Sequence, residues 1–444
     1  MLFYKELKKA VLSIPFAILL IVLIVLPVSQ DIMNFSRDII NEPQQGEDYG
    51  IHQKEIPELI TPSAFASLLS EFSVNEYVAY PIGFYKTVKL SDTDREKMAE
   101  IIASISNVSA EDLLGYEPTT KNEDRLEITF DDTQKYSEQD DDSIIISKDN
   151  KADTSAKGEI SEVLLNTDIS YEQFCEYMKQ ADDLIGGGSR YSESSLLNFS
   201  YVAITYEEAL ADYTLVKDKD YFTGAYARLF SDYMGIILSL LPVFIGVAVC
   251  LKDNRAKMSF LIYARKTSSF KLIVTRYVAI LVAVILPTLI LAYISNMSVW
   301  ACYNGFSIDY LAPLKYTVFW LLPSVMVASS IGMFFTELTG TPIAIVIQCL
   351  WWLVDVNIGA RNLNGGFYLW QLTPRHNNLG NTQVFLDNLN VLVMNRLIFV
   401  GISLVLILAT VLIYEQKRRG KLDAYGKIQK VFVRLANRKS KSAA

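Results

Sequence analysis

The sequence predicts a polytopic α-helical membrane protein: six transmembrane helices, with a large α+β extracellular domain between the first and the second. Three observations carry that expectation. Of the 444 residues, 51% are hydrophobic, and they are gathered in blocks instead of being spread with an amphipathic period. Six of those blocks approach the ~20 apolar residues that a helix needs to cross a bilayer. Charge is divided as sharply: residues 29–228 hold 40 acidic and 17 basic side chains, a net of −23, whereas the rest hold 9 and 24, a net of +15. Such a split assigns the two parts to different environments.

The expected spans are 11–28, 229–251, 272–294, 313–335, 341–356 and 391–414, the fifth being the shortest. Pro15, Pro27, Pro242, Pro287, Pro323 and Pro342 fall in or beside them, which membrane helices tolerate because neighbouring groups re-satisfy the freed backbone. Orientation follows from Lys and Arg in the short flanks. Lys5, Lys8 and Lys9 precede the first span, six basic residues lie between Lys252 and Lys271, and ten follow Tyr414. The loop 295–312 has no Lys or Arg, and 357–390 has only Arg361 and Arg375. Both termini and the 252–271 loop are therefore expected in the cytoplasm, and 29–228 outside. No small-x-small cleavage site stands near Pro27–Ser29, so the first span is expected to be retained.

Residues 1–10 project Phe3, Tyr4, Leu7 and Ala10 onto one arc that continues to Val11, with Lys5, Glu6, Lys8 and Lys9 elsewhere. This suits a short cytoplasmic helix lying along the membrane surface, and it suits an irregular positive flank equally well.

Within 29–228, Tyr77–Leu90 reads as a strand or hairpin. The run from Ser91 reads as a capped helix with Met98, Ile101, Ile102 and Ile105 on one face. RLEITF and SIIIS are expected strands, and the acidic runs between and after them solvated loops. A second helix from Ser170 ends at Gly186-Gly187-Gly188, a helix stop and not a phosphate loop, since no Gly-Lys-Ser/Thr follows. Only Cys175 of the four cysteines lies here, which excludes an internal disulfide, and His52 and His376 stand too far apart to predict a metal cluster. With His52 its only histidine and no nucleophile–base constellation, the segment offers no hydrolase site.

The membrane half has almost no ionisable residue at mid-depth. Asp232, Asp355 and Arg396 fall towards outer ends and Arg276 towards an inner one. Gln348 is the main deep polar residue, and an interhelical hydrogen bond would account for it. Ion-coupled transport needs such groups, so energy for any transport must come from elsewhere. The chain has no Walker motif, so an ATPase would be a separate subunit.

The loop CLKDNRAKMSFLIYARKTSSFKLIVTRY, Cys250–Tyr277, is longer than a connection between spans requires. As a helix it would have one apolar face of Leu251, Met258, Leu261 and Ile262 and a second patch of Ala256, Phe260 and Tyr263. An interfacial helix needs one such face, and a second suits a protein groove. Periodicity alone leaves this open against a plain basic loop with headgroup aromatics.

The topology together with Lys252-Asp253-Asn254-Arg255, Leu261-Ile262-Tyr263-Ala264-Arg265-Lys266-Thr267-Ser268-Ser269 and Arg276-Tyr277 resembles ABC-2 type ABC transporter permeases of Gram-positive bacteria. ARLFSDYMGIILSLLPVF and NRLIF…YEQKRRGKL are similar to that family as well, and the resemblance covers the membrane half. It implies a non-catalytic permease subunit of an exporter in the bacterial cell membrane. It also implies a second permease copy or paralogue and separate cytoplasmic ATPase subunits, with ATP bound by those partners and no cofactor on this chain. In the family a coupling helix follows the second span, which would place Asp253, Arg255, Phe260, Tyr263 and Arg265 against the ATPase. Pro374, Arg375, Asn377 and Gly380 would belong to an outer gate or a re-entrant turn, although Pro and Gly also fit a plain loop.

The tail 415–444 carries an apolar stripe, Ile428, Val431, Phe432 and Leu435, beside basic residues, and could bind anionic lipid or brace the ATPase. Nucleic acid is not an expected partner. Two alternatives share the topology: a surface receptor or secretion accessory of phage-infection-protein type, and a ligand sensor. A sensor needs a cytoplasmic output domain, for which the tail is small.

Overall fold

The computed structural model describes residues 2–35, 38–81, 83–115, 136–138, 144–146, 165–166, 168–255, 262–263, 266–359 and 367–421. They form two compact units, Met1–Gln44 with Glu207–Ala444, and Gln45–Tyr206. Helix dominates both.

The larger unit opens with α1 (Leu2–Val11) and α2 (Ile14–Ser29). Ser13 separates them as the N-cap of α2, its Oγ accepting from Phe16 N at 3.3 Å, with Pro15 in the first turn. The two axes meet at 65°. α1 buries Glu6 and Ala10 and exposes Phe3, Tyr4, Lys5 and Lys8.

The chain returns to this unit through α7 (Tyr206–Leu215) and a π turn (Val216–Asp220) into α8 (Thr223–Leu238) and α9 (Pro242–Arg255). α8 and α9 bend by 41° at Ser239–Leu241, because Pro242 lacks the N–H that would continue the ladder. The freed carbonyls are answered from another helix, α12 (Ile343–Gly359). Gln348 Nε2 donates to Ser239 O at 2.6 Å and Trp352 Nε1 to Ile236 O at 2.7 Å. The deep glutamine thus serves an interhelical hydrogen bond.

Among the described residues three helices are long and apolar enough to cross a membrane: α10 (Ser269–Cys302), α11 (Ala312–Thr339) and α14 (Leu389–Arg418). The number is five if each bent pair, α1–α2 and α8–α9, counts as one span. α12 is apolar but shorter. α10 starts at Ser268, whose Oγ accepts from Lys271 N at 3.2 Å. Its 34 residues extend about 51 Å at the helical rise, well beyond a ~30 Å hydrocarbon layer. α11 is the central helix, packed on α14, α9, α12 and α10, and carries a π stretch at Thr317–Leu321 just before Pro323. Its backbone comes close to that of α9 at two glycines. A Cβ at Gly332 would stand 2.6 Å from Val243 O, and one at Gly246 would stand 2.9 Å from Ser329 O, so both positions need glycine.

The outward faces of these helices are apolar, not polar. Ile18, Ile21, Ile24, Val25 and Val28 of α2 and Leu397, Leu404, Val405, Leu408 and Leu412 of α14 are exposed. A row of that kind belongs in lipid.

The smaller unit contains α3 (Pro57–Val74), α4 (Asp92–Ile105), α5 (Ala110–Leu114) and α6 (Tyr171–Ile185). It also has three two-stranded antiparallel sheets, β1 (Ile51–Gln53) with β6 (Tyr201–Ala203), β2 (Tyr77–Ala79) with β3 (Lys86–Val88), and β4 (Tyr136–Glu138) with β5 (Ile144–Ile146). The expected hairpin at 77–90 is β2–β3, paired Tyr77 to Val88. Ser91 caps α4, whose Met98, Ile101, Ile102 and Ile105 are all buried. A capping box of Ser170 and Gln173 starts α6, and Gly186 in the left-handed region ends it. SIIIS supplies β5, while RLEITF lies outside the described residues.

Candidate functional site

Charge is buried in the larger unit at both ends of the helix bundle. At one end α9 finishes and α10 begins. There α1 sets Glu6 against Arg276 of α10, Oε2 to Nε at 3.0 Å, with both side chains almost fully buried. Arg276 also faces Glu337 of α11 at 3.6 Å, and Lys417 of α14 lies 3.5 Å from the same carboxylate. Lys9 completes the group, 3.0 Å from Glu6. Four helices are thereby joined by alternating charges, each of which would be costly to bury alone.

The basic loop re-enters the described structure beside this network. Arg418 Nε donates to Tyr263 O at 3.0 Å and its Nη1 to Thr267 O at 2.7 Å. Ser269 Oγ donates to Glu415, and the Tyr263 ring meets Tyr414 edge-on at 5.4 Å. The start of α10 and the last turn of α14 are thus tied through one short segment. A cavity of about 30 Å³ lies between that segment, α1 and α14, space for about two waters.

At the opposite end, residues 367–388, including the short α13 (Thr382–Asp387), fold back onto the bundle. Leu372, Thr373, Pro374, His376 and Thr382 are buried, so their backbone groups need protein partners. Asp355 of α12 accepts from Leu372 N at 2.7 Å and Thr373 N at 2.8 Å. Asn395 Nδ2 donates to the carbonyls of Tyr368, Leu369 and Gln371. Arg396 donates to Gln371 O, Trp320 O and Ser324 Oγ.

Further along, Asp232 of α8 accepts from Asn377 N at 2.9 Å and pairs with Arg375 Nε at 3.1 Å. Arg228 pairs with Asp220 at 2.9 Å and reaches the carbonyls of Leu379 and Gly380. His376 Nε2 lies 3.0 Å from Gly380 O, whereas its Nδ1 has no partner among the described residues. Burial first, and the Arg228 charge second, push the imidazole pKa down to about 4, so it is neutral.

The structure brings together the four loop residues singled out from sequence. Arg375 and Asn377 share Asp232, Gly380 sits beside Arg228, and Pro374 is buried between Thr373 and Arg375. They form an inward-folded turn. The other set is less complete. Asp253 and Arg255 fall in the last turn of α9, where the backbone is described, Tyr263 is half-buried against α14, and Phe260 and Arg265 lie outside the described residues.

Sequence reasoning did not single out Glu6, Glu337, Glu415 and Arg418 at one end, nor Asp212, Asp220 and Arg228 at the other. A signal existed for Glu337, the one acid of α11, placed in its last turn. Among the described residues no group of three or more His, Cys, Asp or Glu side chains converges as metal ligands. What these clusters do chemically is hold helix ends and loops in fixed register. No family model, curated protein or solved structure matches the chain.

Proposed function

We propose that this chain is the membrane subunit of an ATP-driven exporter of the ABC-2 permease kind, with residues 252–271 receiving movement from a separate ATPase. The observation that carries this reading is the double anchorage of that basic segment. Arg418 holds Tyr263 and Thr267, Ser269 holds Glu415, and the adjoining Arg276 faces Glu6 and Glu337. A force applied to such a segment acts on α1, α10, α11 and α14 together, as an energy input from outside the spans must.

In this reading there are six spans: α2, the bent α8–α9, α10, α11, α12 and α14. α2 and α12, about 24 and 25 Å by their 16 and 17 residues, cross as the two shortest. The positive flanks put both termini and the basic loop in the cytoplasm of a bacterial cell. The unit of residues 45–206, mixed α+β, stands outside, and 367–388 forms an outer re-entrant turn. α1 lies in the inner headgroup layer, with exposed Phe3 and Tyr4 in the interface and Lys5 and Lys8 towards anionic lipid. A second permease chain completes the path, and ATP binds the partner subunits.

Co-purification of the full chain with any ABC-type ATPase encoded beside its gene tests the proposal. Wild type is expected to retain the ATPase, and Phe260→Ala with Tyr263→Ala to lose it while still purifying as a folded, monodisperse chain. Retention by the double variant would overturn the coupling assignment, and failure of wild type to bind any such ATPase would overturn the permease reading.

A further inference from the structure

A strained stretch of backbone ends the segment by which the chain re-enters the larger unit. Tyr221 and Phe222 have consecutive positive φ, 49° and 56°, although neither is glycine. Phe222 combines φ 56° with ψ −56°, outside the left-handed well that side chains tolerate, and such residues persist only where their surroundings impose them. The imposition is aromatic. The Phe222 ring, fully buried, stacks on Tyr303 at 4.1 Å and meets Phe306 at 5.2 Å and Tyr213 at 5.9 Å.

On the N-terminal side of this kink, α7 and the π turn hold the inward-folded loop by two acids. Asp212 accepts from the backbone N–H of Asn381 and of Thr382, both at 3.3 Å. Asp220 accepts from Thr382 Oγ1 at 2.8 Å and pairs with Arg228 just beyond the kink. Gly380 makes the fit possible: a Cβ there would collide with the Asp212 carboxylate. α7 begins at Tyr206, the last residue of the smaller unit. The same 17 residues thus lead out of that unit, grip residues 380–382 and end in a strained joint.

We propose that residues 206–222 are a strap that sets the position of the 376–388 loop: Asp212 and Asp220 grip the loop, and Tyr221–Phe222 is the hinge on which the strap turns. Displacing α7 must then loosen residues 380–382, and a change at the hinge must reach the loop without touching it. The inference stands on the larger unit alone and does not depend on the exporter reading.

Hydrogen exchange of the full chain in nanodiscs tests it with three variants. Asp212→Ala removes the grip from the strap. Gly380→Ala displaces the same carboxylate from the loop side, leaving α7 unaltered. Tyr221→Gly relieves the hinge while the buried Phe222 stack remains. Each is expected to accelerate exchange at Asn381 and Thr382 by about tenfold or more, as release of a local contact does, with the amides of α11 unchanged. Acceleration in Asp212→Ala and Gly380→Ala without any in Tyr221→Gly would overturn the hinge. Unchanged protection of Asn381 and Thr382 in both grip variants would overturn the strap.

Discussion

Glu6 and Arg276, 270 positions apart, meet as an ion pair of 3.0 Å with exposures of 3% and 1%. The pair fixes the first helix of the chain to the start of α10, and Glu337 and Lys417 extend it to α11 and α14. Removing the shared cation leaves each buried carboxylate with one lysine at the edge of the network, Glu6 with Lys9 and Glu337 with Lys417. Arg276→Gln is expected to cost about 3–5 kcal/mol. The double variant Glu6→Gln, Arg276→Gln is expected to cost less than the sum of the singles by about 1–3 kcal/mol. Thermal unfolding followed by labelling of the buried Cys250 thiol measures both, and additive losses would dissolve the pair as an energetic unit.

The contact of α9 with α11 depends on the absence of two side chains. Gly332→Ala puts a methyl against Val243 O, a backbone atom that cannot step aside. A loss of about 1–3 kcal/mol is expected from the forced separation. Gly401→Ala is the control, because a Cβ there meets nothing within 4 Å, and α14 should gain up to ~1 kcal/mol of helix propensity. Equal unfolding temperatures for the two variants would contradict the close approach.

Acid should weaken the inward-folded loop through His376. Its folded pKa of about 4 lies below the ordinary 6.5, so as pH falls the unfolded chain takes up the proton first. Stability is complete above about 6.5 and is lost progressively from there towards 4, the opposite of a histidine that gains an acidic partner. His376→Gln should flatten that limb of the stability–pH curve. The comparison is the difference in unfolding temperature between wild type and variant across pH 7.5 to 4.5, and parallel curves would remove the histidine as the cause.

Asp355 is expected to be the most sensitive single anchor of residues 367–374. Asp355→Asn leaves one acceptor and a donor where two N–H groups, those of Leu372 and Thr373, converge. An unmatched buried N–H costs about 1–3 kcal/mol. Faster amide exchange at Leu372 and Thr373, with Gln348 still holding α12 to Ser239 O, is the expected result.

Much of the fold is legible residue by residue. The apolar blocks give α10, α11 and α14, whereas the block 229–251, expected as one span, is bent by 41° between α8 and α9. Ser91, Ser170 and Gly186 give the ends of α4 and α6. These are local signals, each settled within one or two turns of chain. Pro374, Arg375, Asn377 and Gly380 were named together only through the family resemblance, since their residue types also suit a plain loop.

Hydropathy also puts Asp232, Asp355 and Arg396 towards the ends of the apolar blocks of the sequence. It could not determine their partners. Asp232 takes Asn377, Asp355 takes Leu372 and Thr373, and Arg396 takes Trp320 and Ser324. Periodicity names the face a residue occupies and says nothing of what stands opposite, since that depends on how distant helices pack. The sequence by itself determined where the helices run and where charge is permitted. Only the tertiary structure decided that Glu6 answers Arg276 and that a polar loop lies buried, because a desolvated charge or N–H is matched through space and not along the chain.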